Sequence, residues 1–188
     1  MCNTSIWKFA KRTIEGVPSL VKGIRVIELG SRNVNGSVRP LLQEKLKPEF
    51  YVGVDAMPGP DVDVVWRAEQ IDLLYPKEIF HLVITTEMLE HVQDWRRVIE
   101  NLFYLCAPGG HILITTRSEG FPKHDYPDDH WRFSLEDMRT IFEGMEILTL
   151  RSDPEMAGVF CLVRKQLGCS LRSLDEIKLY NINSGERE

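Results

Sequence analysis

Residues 121–133, Phe-Pro-Lys-His-Asp-Tyr-Pro-Asp-Asp-His-Trp-Arg-Phe, crowd imidazoles, carboxylates, a guanidinium and aromatic rings into one short segment. An imidazole changes charge near neutral pH and can take a proton from a hydroxyl, provided a carboxylate orients it. His124 is the first candidate for such a base, with Asp125 or Asp128 as the orienting group. His91 is the second, although it can equally cap its own loop and pack against Trp95. Tyr126 and Trp131 offer either an aromatic face for a ring or sugar, or packing within the loop. Arg132 suits a carboxylate or phosphate, or an internal ion pair with Asp128 or Asp129. His124, Asp125, Asp128, Asp129 and His130 also carry metal-ligand atoms, but prolines break the run and no helical i, i+4 pair sets their geometry. No metal is expected there.

Two further segments carry chemistry at strand ends. In Val26-Ile-Glu-Leu-Gly-Ser-Arg-Asn-Val-Asn-Gly36, Gly30 ends an apolar run where backbone must pass close to a ligand. Gly36 opens a helix whose dipole favours nearby negative charge. Glu28 sets a carboxylate beside this turn, suited to an ammonium or a sulfonium. The five residues between Gly30 and Gly36 depart from the G-x-G-x-x-G dinucleotide fingerprint, and no Gly-Lys-Ser/Thr phosphate loop is present. In Tyr51-Val-Gly-Val-Asp55, the terminal carboxylate can accept two hydrogen bonds from vicinal ribose hydroxyls, or can cap a turn.

The elements that must position these groups alternate between strand-like and helix-like patterns from residue 24 onward, which indicates a mainly parallel sheet covered by helices. Strands are expected at 24–29, 50–54, 62–66, 80–85 and 111–116, followed by an antiparallel hairpin of 145–150 and 158–164. A helix over 38–47 carries Pro40 in its first turn, where its missing N–H is harmless. Asp94 caps an amphipathic helix ended by Ala107-Pro-Gly-Gly110, and Ser134-Leu-Glu-Asp137 has the form of a capping box. Residues 1–23 form an extension with a short amphipathic helix that packs on its own domain, 24–165 the main domain, and 166–188 a polar tail with partial order. In such a sheet, ligands bind beyond the carboxyl ends of the strands, where all three chemical segments fall.

The segments Val26-Ile-Glu-Leu-Gly30, Gly53-Val-Asp55, Phe80 to His91 and Leu105 to Ile114 resemble, in order and spacing, the motifs of class I S-adenosylmethionine-dependent methyltransferases. The likeness is to the branch with an E-H-V step after the fourth strand and a P-G-G turn before the fifth. It implies a Rossmann-like, doubly wound α/β fold with a seven-stranded sheet, mainly parallel with an antiparallel last strand. It also implies S-adenosylmethionine as cofactor. By position, Glu28, Gly30 and Ser31 would line its methionine end and Asp55 its ribose. Ala68 and Glu69 would border adenine, with Met57 against the ring, and Thr86 and Glu87 would line the pocket near the reacting methyl. Two positions depart from the family: the glycine loop is altered, and Arg67 stands where relatives often carry an aspartate. Those departures motivate an alternative, a non-catalytic binding or regulatory module on the same fold.

Composition narrows the partners. A formal net charge of −5 over 188 residues provides no basic field for a nucleic acid, which disfavours that partner. The aromatic and acidic segment 121–133, together with what the resemblance implies, leads to the expectation of a small-molecule or saccharide-like acceptor. Four scattered cysteines without C-x-x-C pairs are expected to be reduced thiols in a cytoplasmic protein, and strand-sized apolar runs predict no membrane span. An oxidoreductase using NAD is disfavoured by the missing glycine fingerprint.

Overall fold

The computed structural model of the chain describes residues 4–124 and 128–188. Asp125 and Tyr126, both singled out by the sequence, lie outside the described residues. The central sheet has seven strands in the order β3-β2-β1-β4-β5-β8-β7. These are β1 (Arg25–Leu29), β2 (Phe50–Asp55), β3 (Val64–Val65), β4 (Phe80–Thr86), β5 (Cys106–Arg117), β7 (Glu146–Ser152) and β8 (Gly158–Arg164). The first five pair in parallel, whereas β8 runs antiparallel to both β5 and β7. This is the mainly parallel seven-stranded sheet with an antiparallel last strand that the motifs imply. Strand order reverses between β1 and β4, so the segments that leave their carboxyl ends lead to helices on opposite faces of the sheet, the place where open sheets of this kind bind ligands.

The strands read as nearly unbroken apolar runs because both faces of the sheet are covered. On one face α1 (Thr4–Gly16) and α2 (Arg39–Leu46) lay Ile6, Phe9, Leu41 and Leu42 on Val26, Ile84 and Leu113. Phe9 stacks on Phe160 with ring centroids 4.9 Å apart, so the amphipathic α1 does pack on its own domain. On the other face α3 (Trp95–Leu105) and α4 (Leu135–Ile141) cover Ile27, Val83 and Ile112. Both expected caps are present. Asp94 accepts from the Arg97 N–H, and Ser134 and Asp137 form a reciprocal capping box.

Two expectations need correction. The Ala107-Pro-Gly-Gly110 segment does not separate α3 from its strand: β5 starts at Cys106 and absorbs the turn as an irregularity in its register with β4, with Gly109 at φ 80°. The polar tail is also ordered. Three of its apolar side chains, Leu174, Ile177 and Leu179, are buried in the main core, and Arg96 donates to the carbonyls of Leu174 (3.0 Å) and Ile177 (2.5 Å). Beyond them β9 (Tyr180–Asn181) pairs with both β6 (Trp131–Arg132) and β10 (Glu186–Arg187) in a small antiparallel sheet. Among the described residues, no helix is long and apolar enough to cross a membrane. Cys106, Cys161 and Cys169 are free thiols.

Candidate active site

The chain leaves β1 at Gly30, whose φ of 79° is left-handed and suits glycine. A Cβ at Gly30 would lie 2.5 Å from the Met88 side chain, so the turn is pressed against the segment after β4. Gly30 and Ser31 both donate their N–H to the Val54 carbonyl, at 2.8 and 3.1 Å. This locks the β1 turn onto the end of β2. Asp55 then takes the Arg32 N–H on one carboxylate oxygen (3.1 Å) and the Met57 N–H on the other (2.9 Å). The turn-capping role is therefore real, and each oxygen still has lone-pair capacity for a further donor.

The altered glycine loop has its own support. Asn33 donates through its backbone N–H to the Pro60 carbonyl (3.0 Å) and through its amide to Asp61 (3.0 Å), while its side-chain oxygen accepts from the Gly36 N–H (2.9 Å). Side-chain bonds thus do what additional glycines would do by conformational freedom. Beneath the loop Glu28 is buried and accepts from the Tyr51 hydroxyl at 2.5 Å. Burial raises its pKa to about 7, against the lowering effect of the Tyr51 bond. The Ser31 hydroxyl is buried without a hydrogen-bond partner, an orphan donor beside the same turn.

Ala68 and Glu69 open the 3-10 turn Ala68–Leu73 beyond β3, with the Ala68 carbonyl held by the Asn101 amide at 2.8 Å. Arg67 pairs with Glu69 at 2.7 Å, so the cation that departs from the family pattern is satisfied locally by its neighbour. Met57 is half exposed beside the β2 loop.

After β4 the backbone turns at Glu87, whose φ of 54° is unusual for a residue with a side chain. Its N–H donates to the Thr115 carbonyl at 2.8 Å, and its buried carboxylate pairs with the buried Arg117. Arg117 lies over the Phe121 ring, 4.1 Å from its centroid, and faces Asp153 at 3.8 Å. Burial, and then the neighbouring Glu90 charge, raise Glu87 to about 7. Glu90 and His91 lie in the 3-10 turn Leu89–His91. Glu90 is fully buried and accepts from the Thr116 hydroxyl at 2.8 Å, and burial raises its pKa.

The fold brings the two candidate bases together. The rings of His91 and His124 meet edge to face with centroids 4.8 Å apart. His124 is oriented by Asp129, at 3.0 Å from its Nδ1, and not by Asp128; Asp125 lies outside the described residues. Asp129 also accepts the His124 backbone N–H (2.8 Å) and grips Arg132 with both oxygens (2.6 and 2.7 Å). Burial alone would raise the Asp129 carboxyl, but the Arg132 bonds reverse this and hold it below the usual range. Arg132 is thereby consumed in an internal ion pair. Trp131 is buried with its indole N–H on the Val92 carbonyl (3.0 Å), a packing role. His91 bonds through Nδ1 to the Asp128 carbonyl. Burial lowers the pKa of both imidazoles, opposed for His124 by Asp129, so both are neutral at pH 7.

Sequence reasoning missed Asp129 as the orienting group, and Glu90, Arg117 and Tyr51 altogether. The Glu87-Met-Leu-Glu-His91 run held the signal for Glu90, since a second carboxylate beside a candidate imidazole is itself informative.

A family model described as a methyltransferase domain matches residues 8–155. No curated protein matches the chain by sequence. Among solved structures, the Burkholderia thailandensis 1,6-didemethyltoxoflavin-N1-methyltransferase, with 1,6-didemethyltoxoflavin and S-adenosylhomocysteine bound, superposes with a TM-score of 0.65 at 11% identity. That match covers 87% of this chain and 79% of the other. Phosphoethanolamine N-methyltransferase 1 of Haemonchus contortus, in complex with phosphoethanolamine and S-adenosylhomocysteine, gives 0.66 at 16% identity over 90% of this chain and 45% of its own. An S-adenosylmethionine-dependent methyltransferase from Mesorhizobium loti gives 0.62 at 16% identity, covering 87% and 99%.

Proposed function

Since the chain belongs to the methyltransferase-domain family, we propose that it transfers the methyl group of S-adenosylmethionine to a hydroxyl of a small-molecule or saccharide-like acceptor. The observation that carries this reading is the pair of imidazoles, His91 in the turn just after β4 and His124 on the loop after β5, whose rings meet with centroids 4.8 Å apart.

The residues present fit the cofactor. Gly30 gives a turn without a side chain, the orphaned Ser31 hydroxyl can meet the methionine end, and the spare lone pairs of Asp55 can meet ribose hydroxyls. Glu28 supports that end from beneath the loop, Ala68 and Glu69 border the base, and Thr86 and Glu87 lie toward the reacting group. When bound, the sulfonium supplies an activated methyl carbon. The protein's remaining work is to align an acceptor oxygen in line with that carbon and to lower the cost of removing its proton. Neutral imidazoles with Nδ1 already bonded to an acceptor present Nε2 lone pairs for that task. A hydroxyl acceptor needs this help, whereas a neutral amine attacks before losing its proton.

Calorimetric titration with S-adenosylmethionine and S-adenosylhomocysteine, with NAD as control, tests the premise. Micromolar binding of both sulfur ligands and none of NAD is expected. If neither sulfur ligand binds, the chain is better described as a non-catalytic module on this fold.

A further inference from the structure

The same edge of the sheet holds a cluster whose geometry asks for more than a base. We propose that Glu90, His91 and His124 bind one divalent transition-metal cation, with coordination positions left open toward the acceptor. One ligand atom from each of the three lies within 4.8 Å of the others, and the Glu90 Oε1 to His91 Nε2 separation is 3.9 Å. Metal–ligand bonds of about 2.0–2.2 Å require these atoms to close by roughly 1 Å. His124 stands on a loop with a third of its side chain exposed, so its ring can make much of that movement.

Two independent features point to a ligand. The first is Glu90, completely buried: Oε2 is satisfied by Thr116, while Oε1 has no hydrogen-bond partner. A buried carboxylate oxygen without a donor is costly, and a cation beside it removes the cost. The second is how the imidazoles are held. The Asp128 carbonyl and the Asp129 carboxylate are acceptors, so each Nδ1 carries its proton and each Nε2 keeps its lone pair. Metal-binding histidines are oriented by outer partners of this kind. Asp129 is in turn fixed by its two bonds to Arg132.

Two imidazole nitrogens and one carboxylate oxygen favour Mn²⁺, Fe²⁺, Co²⁺ or Zn²⁺ over Mg²⁺ or Ca²⁺, which prefer all-oxygen shells. The sequence predicts no metal because residues 124–130 lack a helical ligand pair. The fold supplies two of the ligands from the turn after β4 instead. The inference rests on the proposed methyl transfer only for its purpose. An acceptor hydroxyl bound at the cation releases its proton to solvent; its oxygen then bonds the methyl carbon as the carbon–sulfur bond breaks and sulfur keeps the electron pair. With the cation bound, the imidazoles hold it and the cation takes over the lowering of the proton's cost; their role as bases, given above, belongs to the metal-free protein.

The test uses the full chain, stripped with a chelator and titrated with Zn²⁺, Co²⁺, Mn²⁺ and Mg²⁺ in the absence of cofactor. One equivalent of Zn²⁺ or Co²⁺ should bind at micromolar concentration or below, and Co²⁺ should give the visible absorption of a nitrogen- and oxygen-ligated ion. Glu90→Gln and His124→Ala should each weaken binding at least 10-fold, and Asp129→Asn roughly 10-fold by loosening His124. His81→Ala, at the opposite edge of β4, should bind as wild type. Absence of the Co²⁺ absorption in the wild-type chain, unchanged affinity in Glu90→Gln, or tighter binding of Mg²⁺ than of Zn²⁺ would each overturn the proposal; the Co²⁺ spectrum needs no variant to fold. A parallel S-adenosylhomocysteine titration separates the two readings: metal without that ligand sinks the methyl transfer and leaves the site, and the reverse sinks the site alone.

Discussion

Asp55 carries two duties, since the backbone N–H groups it accepts from Arg32 and Met57 are the ones that shape the loops on either side of the proposed ribose position. Asp55→Ala should weaken S-adenosylmethionine binding by about 1–3 kcal/mol, through lost hydroxyl bonds and a loosened loop. Calorimetric affinity at the wild-type value would remove Asp55 from the site. His124→Ala, which leaves the β1 and β2 loops untouched, should keep that affinity while lowering turnover by roughly 10²-fold or more. Turnover near wild type would end its role in activating the acceptor. Glu28 makes a prediction about pH. Its folded pKa is raised to about 7 by burial, above an ordinary value of 4.5. A raised folded pKa contributes stability below about pH 4.5, and that contribution disappears as the pH climbs through 7. Glu28→Gln stays neutral and can still accept from Tyr51. It should therefore gain on wild type between pH 5 and 8, by about 3 kcal/mol at the upper end, read from denaturant midpoints. A constant difference across that range would show that Glu28 ionises normally.

At the scale of the elements, the turn between β1 and α2 concentrates the constraints. Gly30 combines a left-handed backbone with a close contact to Met88, so Gly30→Ala meets both strain and overlap. A loss of about 2–4 kcal/mol in stability is expected, together with weaker cofactor binding. Chemical denaturation and the same calorimetric titration read both; a variant as stable as wild type would mean that Met88 simply moves aside. This turn was legible in the sequence because an apolar strand that carries a carboxylate near its end and stops at glycine is a local pattern, as are the caps at Asp94 and Ser134. The partner of His124 was not. Asp128 and Asp129 follow it by four and five residues along an aperiodic segment, and it is the bonding of Asp129 to Arg132 that sets its carboxylate against His124. Glu90 was hidden for the opposite reason: it sits in a recognisable motif, but its burial against Thr116 depends on the register of β5, which no local pattern fixes.

Across the whole molecule, the element least visible in the sequence turns out to support the site. Leu174, Ile177 and Leu179 are spaced by three and then two residues, a weak helical stretch too short to fix a period, so spacing could not reveal that they anchor the tail in the core. Once anchored, the tail reaches the segment that carries Asp129. The Ile182 N–H donates to the His130 carbonyl at 2.8 Å, Asn181 pairs with Trp131, and the Asn183 amide donates to the Asp129 carbonyl at 2.7 Å. Deleting 166–188 would remove several buried aliphatic side chains, each contributing about 1.5–3 kcal/mol, and would confound stability with chemistry. Asn183→Ala is the cleaner change, because it cuts one bond to the Asp129 backbone and leaves the buried anchors in place. It should shift the thermal midpoint by only a few degrees, corresponding to about 1 kcal/mol. Turnover should fall roughly 10-fold as Asp129 and His124 lose their setting, because small misplacements near the reacting atoms cost much rate. S-adenosylhomocysteine affinity should not change, since Asn183 bonds to the segment that carries Asp129 and the β1 and β2 loops are held by their own bonds. Equal losses in turnover and in that affinity would mean that the tail stabilises the molecule generally and has no particular hold on the acceptor side.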